Sequence, residues 1–335
     1  MRLALMSPGA MNNRIAIVLL NLGGPDSLAS VEGFLRNLFS DPDIFRLPLP
    51  LLTQRPFAFF VARRRRREAT AGYAAIGGRS PLLANTELQA RALRAALPAG
   101  FEVFVCMRYW HPLTEEVVAR LRDEGYRRVV LLPLYPQYSG TTSGSSRNEF
   151  MRQCRRLGYE AEVKFVPHWY DDNGYQQAIA EGIGAQLSQF SVPDPAQVVL
   201  LFSAHGLPER VVAAGDPYAD QVRATYEGVR ARLGWPRTRL CFQSRVGPLP
   251  WLRPYTDDVI REEAAAGTKQ ILVYPIAFVS DHVETLFELG ITYRDLAHAL
   301  GVREYRVVPA LNDDPRLIEV LKRLSLEYAH GTGRP

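Results

Sequence analysis

Two stretches of this sequence repeat one another, and a chain that runs strand, helix, strand twice in the same order has few folds open to it. In the first, residues 103–108 are followed by Pro112, a helical pattern opened by Thr114, Glu115 and Glu116, a stop at Gly125, and the apolar run 129–133. In the second, residues 240–245 are followed by Pro248, a helical pattern opened by Thr256, Asp257 and Asp258, a stop at Gly267, and the run 271–275. A Thr N-cap, acids in the first turn and Gly after the last are what helix ends favour. Each stretch reads as one β-α-β unit, so the expectation is two similar lobes with a cleft between them.

The rest of the chain agrees. Apolar, β-branched runs at 14–20, 101–106, 129–134, 162–166, 197–203, 239–243, 270–274 and 304–308 alternate with amphipathic helical patterns. Most of these runs are continuously apolar, as strands covered on both faces are. The fold class is α/β: two Rossmann-like lobes, each a parallel sheet flanked by helices. The expected division is 13–170, with an apolar and basic segment at 44–67, and 171–330. The junction falls near residues 169–174, and a last helix at 315–328 is free to pack on either lobe.

Charge and cysteine content exclude several function classes. The 40 basic residues outnumber the 35 acidic ones by five, and residues 63–67 are five consecutive arginines; without them the count is 35 against 35. The excess is one local patch, not the spread of basic residues that a nucleic-acid surface needs. The apolar stretch 44–62 is broken by Arg46, Pro48, Pro50, Arg55 and Pro56, short of the roughly 20 residues of a membrane span. The N-terminus shows no signal-peptide pattern, and the expected location is the cytoplasm. Cys106, Cys154 and Cys241 are too few and scattered for a disulfide framework, a zinc ribbon or an iron–sulfur cluster.

Chemistry is concentrated at strand ends. The first strand ends in Asn21-Leu-Gly-Gly-Pro-Asp26, which fits a phosphate cradle or a plain tight turn; no G-x-G-x-x-G or Gly-Lys-Ser/Thr is present. Another run ends in Ser203-Ala-His205-Gly-Leu-Pro, which places a histidine where α/β proteins hold ligands. No G-x-S-x-G elbow accompanies it, so a serine hydrolase is excluded. After the strand at 270–274, helical spacing would set Asp281, Glu284 and Glu288 at i, i+3 and i+7 on one face, among Val283, Leu286, Phe287 and Ile291. An acidic row in apolar surroundings is a route for protons or divalent metal; the alternative is a solvated helix face. Aromatic and Arg residues gather at similar ends, including Arg108, Tyr109, Trp110, Tyr135, Tyr138, Trp251 and Phe278, as a flat hydrophobic ligand or core packing would require.

Taken in order, Asn21-Leu-Gly-Gly-Pro, Arg108-Tyr-Trp-His-Pro, Tyr135-Pro-Gln-Tyr-Ser, Ser203-Ala-His-Gly-Leu-Pro, Gly215-Asp-Pro-Tyr, Gln243-Ser-Arg-Val-Gly-Pro-Leu-Pro-Trp251 and Ser280-Asp-His-Val-Glu-Thr-Leu resemble the ferrochelatases over residues 14–328. The resemblance implies a type II chelatase-like fold with a porphyrin cleft between the lobes, and insertion of ferrous iron into protoporphyrin IX with release of two protons. It assigns His205 as proton acceptor or iron ligand, Glu284 as the opposing acid and second metal contact, Glu288 and Asp281 as extensions of the acidic row, and His282 as a further active-site histidine. Leu22, Arg108, Tyr109, Trp251 and Phe278 match positions that line the macrocycle. Iron is then a substrate and no resident cofactor is expected, because the chain ends at Pro335 without the cluster-binding extension of animal members. The segment 44–67 matches the family's cleft lip, which either rests on the inner face of a membrane or is a solvated run over a buried hairpin. Coproporphyrin III insertion, a non-catalytic tetrapyrrole carrier and cobalt insertion into a corrin precursor are the other readings, and the oligomeric state stays open.

Overall fold

All eight apolar runs form strands: β1 (Ile15–Asn21), β2 (Phe101–Met107), β3 (Arg128–Pro133), β4 (Glu162–Phe165), β5 (Val198–His205), β6 (Thr238–Gln243), β7 (Gln270–Pro275) and β8 (Glu304–Val307). The structure is a computed structural model that describes residues 14–45, 47–247 and 249–333. Residue 13 (the expected start of the first lobe), Arg46, Pro248 and the last two residues lie outside the described residues.

Two four-stranded parallel sheets result, ordered β2-β1-β3-β4 and β6-β5-β7-β8. Alternation along the central strands explains how they join. Ile15, Ile17 and Leu19 of β1 and Val198, Leu200 and Phe202 of β5 face one continuous core. Ala16, Val18 and Leu20 face a second core, and Val199 and Leu201 a third. The lobes are thus fused at their inner faces. Trp169 at the junction is buried, donates Nε1–H to the Pro133 carbonyl at 3.0 Å and packs on Tyr175 at 4.9 Å. The last helix (Pro315–Ala329) packs on the first sheet and on the helix Leu82–Ala96, where the Arg128 guanidinium donates to the Ala329 carbonyl at 2.7 Å.

The repeat is real, with two changes. Met107 N–H donates to the Pro112 carbonyl at 2.8 Å, and Phe242 N–H donates to the Pro254 carbonyl at 2.9 Å. Pro254, not Pro248, is therefore the counterpart of Pro112, and the second lobe carries extra chain between residues 244 and 253. Thr114 and Thr256 are the first helical residues, not the caps, which are Leu113 and Tyr255. Both threonine side chains are buried toward the sheets, Thr256 within 2.8 Å of Ser203 Oγ and Thr114 beside Cys106. Register fixes the other equivalences: Leu20 pairs with Pro133 as Ser203 does with Pro275, and Asn21 with Met107 as Ala204 does with Phe242. The residue of the first lobe that corresponds to His205 is then Leu22.

Candidate functional site

β5 ends on His205, and a 2.8 Å contact joins its Nδ1 to Oε2 of Glu284. The backbone holds the histidine from two sides. Tyr218 Oη donates to its carbonyl at 2.9 Å, and Gly206 N–H donates to the Gln243 carbonyl on the neighbouring strand at 2.9 Å. A Cβ at residue 206 would lie 3.1 Å from that carbonyl and 3.2 Å from Trp251, so a side chain here would crowd the turn. The His205 side chain keeps about a third of its surface open, at 34%, and Glu284 keeps 23%. Burial disfavours charge on the imidazole, but the Glu284 carboxylate outweighs it, with help from Glu288, and holds His205 above its ordinary value. Glu284 responds inversely: burial would raise it, yet the His205 contact, with His282 and Ser244, holds it below the usual carboxylate range. An ionised carboxylate only accepts, so Nδ1 carries the hydrogen and Nε2 is left as the basic nitrogen.

Glu284 opens a π-helix (Glu284–Tyr293), a wide helical form concentrated at functional sites. Gly290 lies close to the preceding turn: a Cβ there would sit 3.3 Å from the Thr285 carbonyl. The widened turn alters the expected row. Glu284 and Glu288 stay neighbours, and Tyr293, five residues beyond Glu288, donates to Glu288 Oε1 at 3.0 Å. Asp281 lies before the helix and does not join the row. Its carboxylate accepts from Asn312 Nδ2 at 2.8 Å, Thr285 Oγ1 at 2.9 Å and Ala310 N at 3.3 Å, so it ties the turn to the chain beyond β8. Burial and the Glu284 charge push Glu288 above the usual carboxylate range. The two carboxyls are thereby driven apart in proton affinity, Glu284 downward and Glu288 upward.

The remaining expected residues divide between wall and foundation. Trp251 stands edge-on to His205 at 6.2 Å, and Phe278 packs on His282 at 4.5 Å. His282 is buried behind the pair, its Nδ1 3.1 Å from the Ser280 carbonyl, and burial depresses its pKa. Leu22 follows β1 half-buried. Tyr109 is not a lining residue: it is 1% exposed and its hydroxyl donates to Asp41 at 2.6 Å. Arg108 also belongs to the foundation, with its guanidinium 3.0 Å from Asp41 and its Nε 2.8 Å from Ser145 Oγ. Breaking a buried ion pair on one side leaves the other charge stranded. Arg108→Ala is expected to cost about 3 kcal/mol in urea unfolding; an unchanged midpoint would return Arg108 to the cleft.

The segment 44–67 is not a hairpin. Its latter part is the start of one long helix, Pro50–Ala75, with Pro50 at the first position, where a missing N–H costs nothing. Gln54, Ala58, Ala62 and Tyr73 turn inward, while Leu49, Leu52 and Phe60 stand 71%, 72% and 70% exposed. The helix reaches the site: a Cβ on Gly72 would lie 3.2 Å from Phe287 of the π-helix, and the Glu284 charge adds to burial in raising the Tyr73 phenol. Sequence reasoning passed over Tyr73, Tyr218, Ser244 and Tyr293. Ser244 stood inside a quoted motif, whereas Tyr293 is brought in only by the π-helical spacing. Among the described residues, no helix is long and apolar enough to cross a membrane, and no group of three or more His, Cys, Asp or Glu is set to hold a metal ion.

Comparison with known proteins follows from this geometry. A family profile described as Ferrochelatase matches residues 14–329. A protein named Ferrochelatase from Synechococcus sp. (strain JA-3-3Ab) is 49% identical over 323 residues, 93% of each chain. Another of that name, from Geotalea daltonii, is 45% identical over 314 residues, covering 94% of this chain and 98% of the relative. Among solved structures, SirB from Bacillus subtilis with Fe3+ superposes with a TM-score of 0.58 at 10% identity, over 95% of this chain and 97% of that one. That likeness speaks to the fold alone.

Proposed function

The chain belongs to the ferrochelatase family and inserts iron into a porphyrin for heme synthesis; from that premise we propose that its substrates are protoporphyrin IX and ferrous iron, and that His205 and Glu284 carry the reaction. The observation that supports the assignment is the 2.8 Å contact between His205 Nδ1 and Glu284. Two pyrrole protons must leave as iron enters a rigid ring. The neutral His205 takes a proton at Nε2, and the imidazolium so formed is stabilised by the carboxylate at Nδ1. The Glu288 carboxylate, whose proton affinity is raised by burial and by the Glu284 charge, is the next acceptor along the π-helix. Trp251, Phe278 and Leu22 supply apolar wall, and Asp281 positions the turn that carries Glu284. The contact between them occupies His205 Nδ1 and Glu284 Oε2, so an iron contact from the histidine would be made through Nε2 and one from the carboxylate through Oε1.

Anaerobic incubation of the purified protein with protoporphyrin IX and ferrous iron tests the reading. Collapse of the free-base visible bands into those of heme is expected, faster than with coproporphyrin III run in parallel. Preference for coproporphyrin III would keep the chemistry and change the substrate. Tight binding of both without metallation would leave a carrier.

The exposed Leu49, Leu52 and Phe60, followed by Arg63, Arg64, Arg66 and Arg67 on the surface, support a seat for the lip on an anionic membrane face in the cytoplasm. Replacing the five arginines of 63–67 with Ser is expected to lower co-sedimentation with anionic vesicles at least tenfold, at about 1 kcal/mol for each arginine near the surface. Sedimentation unaffected by the change would remove the membrane contact.

A further inference from the structure

Ser244 is the first residue of the extra chain in the second lobe, and it occupies an unusual conformation. Its φ is +64°, in the left-handed region that glycine enters freely and a side chain resists. Strain of this kind persists where the surroundings over-determine it, and here both of the residue's donors are engaged. Its N–H donates to Glu288 Oε1 at 2.9 Å, and its hydroxyl makes a short contact with Glu288 Oε2. The same hydroxyl lies 3.2 Å from Glu284 Oε2, the oxygen that contacts His205. A serine has one hydroxyl hydrogen, and these distances give it to Glu288. Tyr293 at 3.0 Å and Gln243 Nε2 at 3.3 Å complete the enclosure of that carboxylate. Gln243 is itself held through its Oε1, which accepts from Ser203 at 2.7 Å.

We propose that Ser244 is a positioning residue of this site: by clamping both oxygens of Glu288 it keeps that carboxylate off His205 and leaves Glu284 as the carboxylate in contact with the histidine. The left-handed backbone is what allows one residue to present its amide and its hydroxyl to the same carboxylate. Glycine at this position would be relaxed, and the strained serine is retained for its hydroxyl. The inference rests on the chelatase reading of the site, which wild-type turnover, measured first, tests by itself.

Ser244→Gly removes the hydroxyl, keeps the amide donor and relieves the backbone, so the fold should be retained. With an active wild type, kcat is expected to fall about tenfold, the usual scale for losing one hydrogen bond to a charged group, while Tm does not fall and porphyrin affinity by fluorescence quenching is unchanged. Ser244→Asn, which tolerates the left-handed region and offers an amide donor, should recover part of the loss. In a Glu288→Gln background, Ser244→Gly should cost nothing further, because the residue acts through Glu288. Wild-type turnover in Ser244→Gly would overturn the proposal. So would an equal loss in both backgrounds, or a loss shared by Tm, porphyrin affinity and kcat, since either marks a role independent of Glu288.

Discussion

His205→Ala lowers kcat for iron insertion by about three orders of magnitude and leaves porphyrin bound, which is the largest single effect expected at this site. A positioned general base contributes about 10²- to 10⁴-fold, and the middle of that range is expected. His282 is the nearest alternative, and it is buried with its Nδ1 against the Ser280 carbonyl. The walls do not depend on His205: Trp251 is fixed through its indole N–H on the Val246 carbonyl at 3.0 Å, and Phe278 packs on His282. Stopped-flow absorbance under anaerobic conditions gives kcat, and fluorescence quenching gives porphyrin affinity. Normal turnover in a folded His205→Ala protein would place the base elsewhere.

Glu284→Gln is expected to lower kcat about 100-fold and also to move the pH profile, with a direction fixed by the charge it removes. His205 must be neutral to take a proton, so kcat/KM falls as pH drops through its pKa. Glu284 is the main group that holds that value above the ordinary 6.5; without its carboxylate, burial is opposed by Glu288 alone, and the acid limb moves to lower pH. A limb that stays in place would mean it belongs to another group.

Stability follows the same pair with opposite demands. The raised histidine contributes stability that is complete below its unfolded value and lost as pH rises through its folded one. The lowered carboxylate contributes stability that is present above its unfolded value and lost as pH falls through its folded one. The Tm difference between wild type and Glu284→Gln should therefore be greatest between roughly pH 4.5 and 6.5 and shrink toward pH 8. Activity is therefore expected to be highest at pH values where this pair contributes least to stability.

Much of this was legible in the sequence because the governing physics is local. A strand buried on both faces is a continuous apolar run, and all eight runs became strands within about two residues. His205 and Glu284 could be paired because each follows a central strand of the same sheet, β5 and β7. The errors share a cause as well. Spacing of three and seven assumes an α-helix that already includes Asp281; the helix begins after that residue, which leaves it outside the row, and the π-helical spacing brings Tyr293 in. Tyr109 and Trp251 look alike as aromatics at strand ends, yet one spends its hydroxyl on a buried aspartate and the other borders the histidine. Which applies depends on Asp41, 68 residues away from Tyr109 in sequence. Ser244 shows no signal of its own, since a left-handed backbone at serine is imposed by its neighbours.

The equivalence of Leu22 and His205 carries a further consequence. Two identical halves would offer a flat guest the same chemistry above and below, and turning it over would change nothing. One covalent chain frees the halves to diverge, and here one strand end is aliphatic and inert while the other is a base with an anion behind it. On the proposed reading, a planar ring seated between them would have a passive side and a reactive side. Deprotonation would be confined to one direction of approach, and the opposite direction left to whatever arrives without needing a proton acceptor.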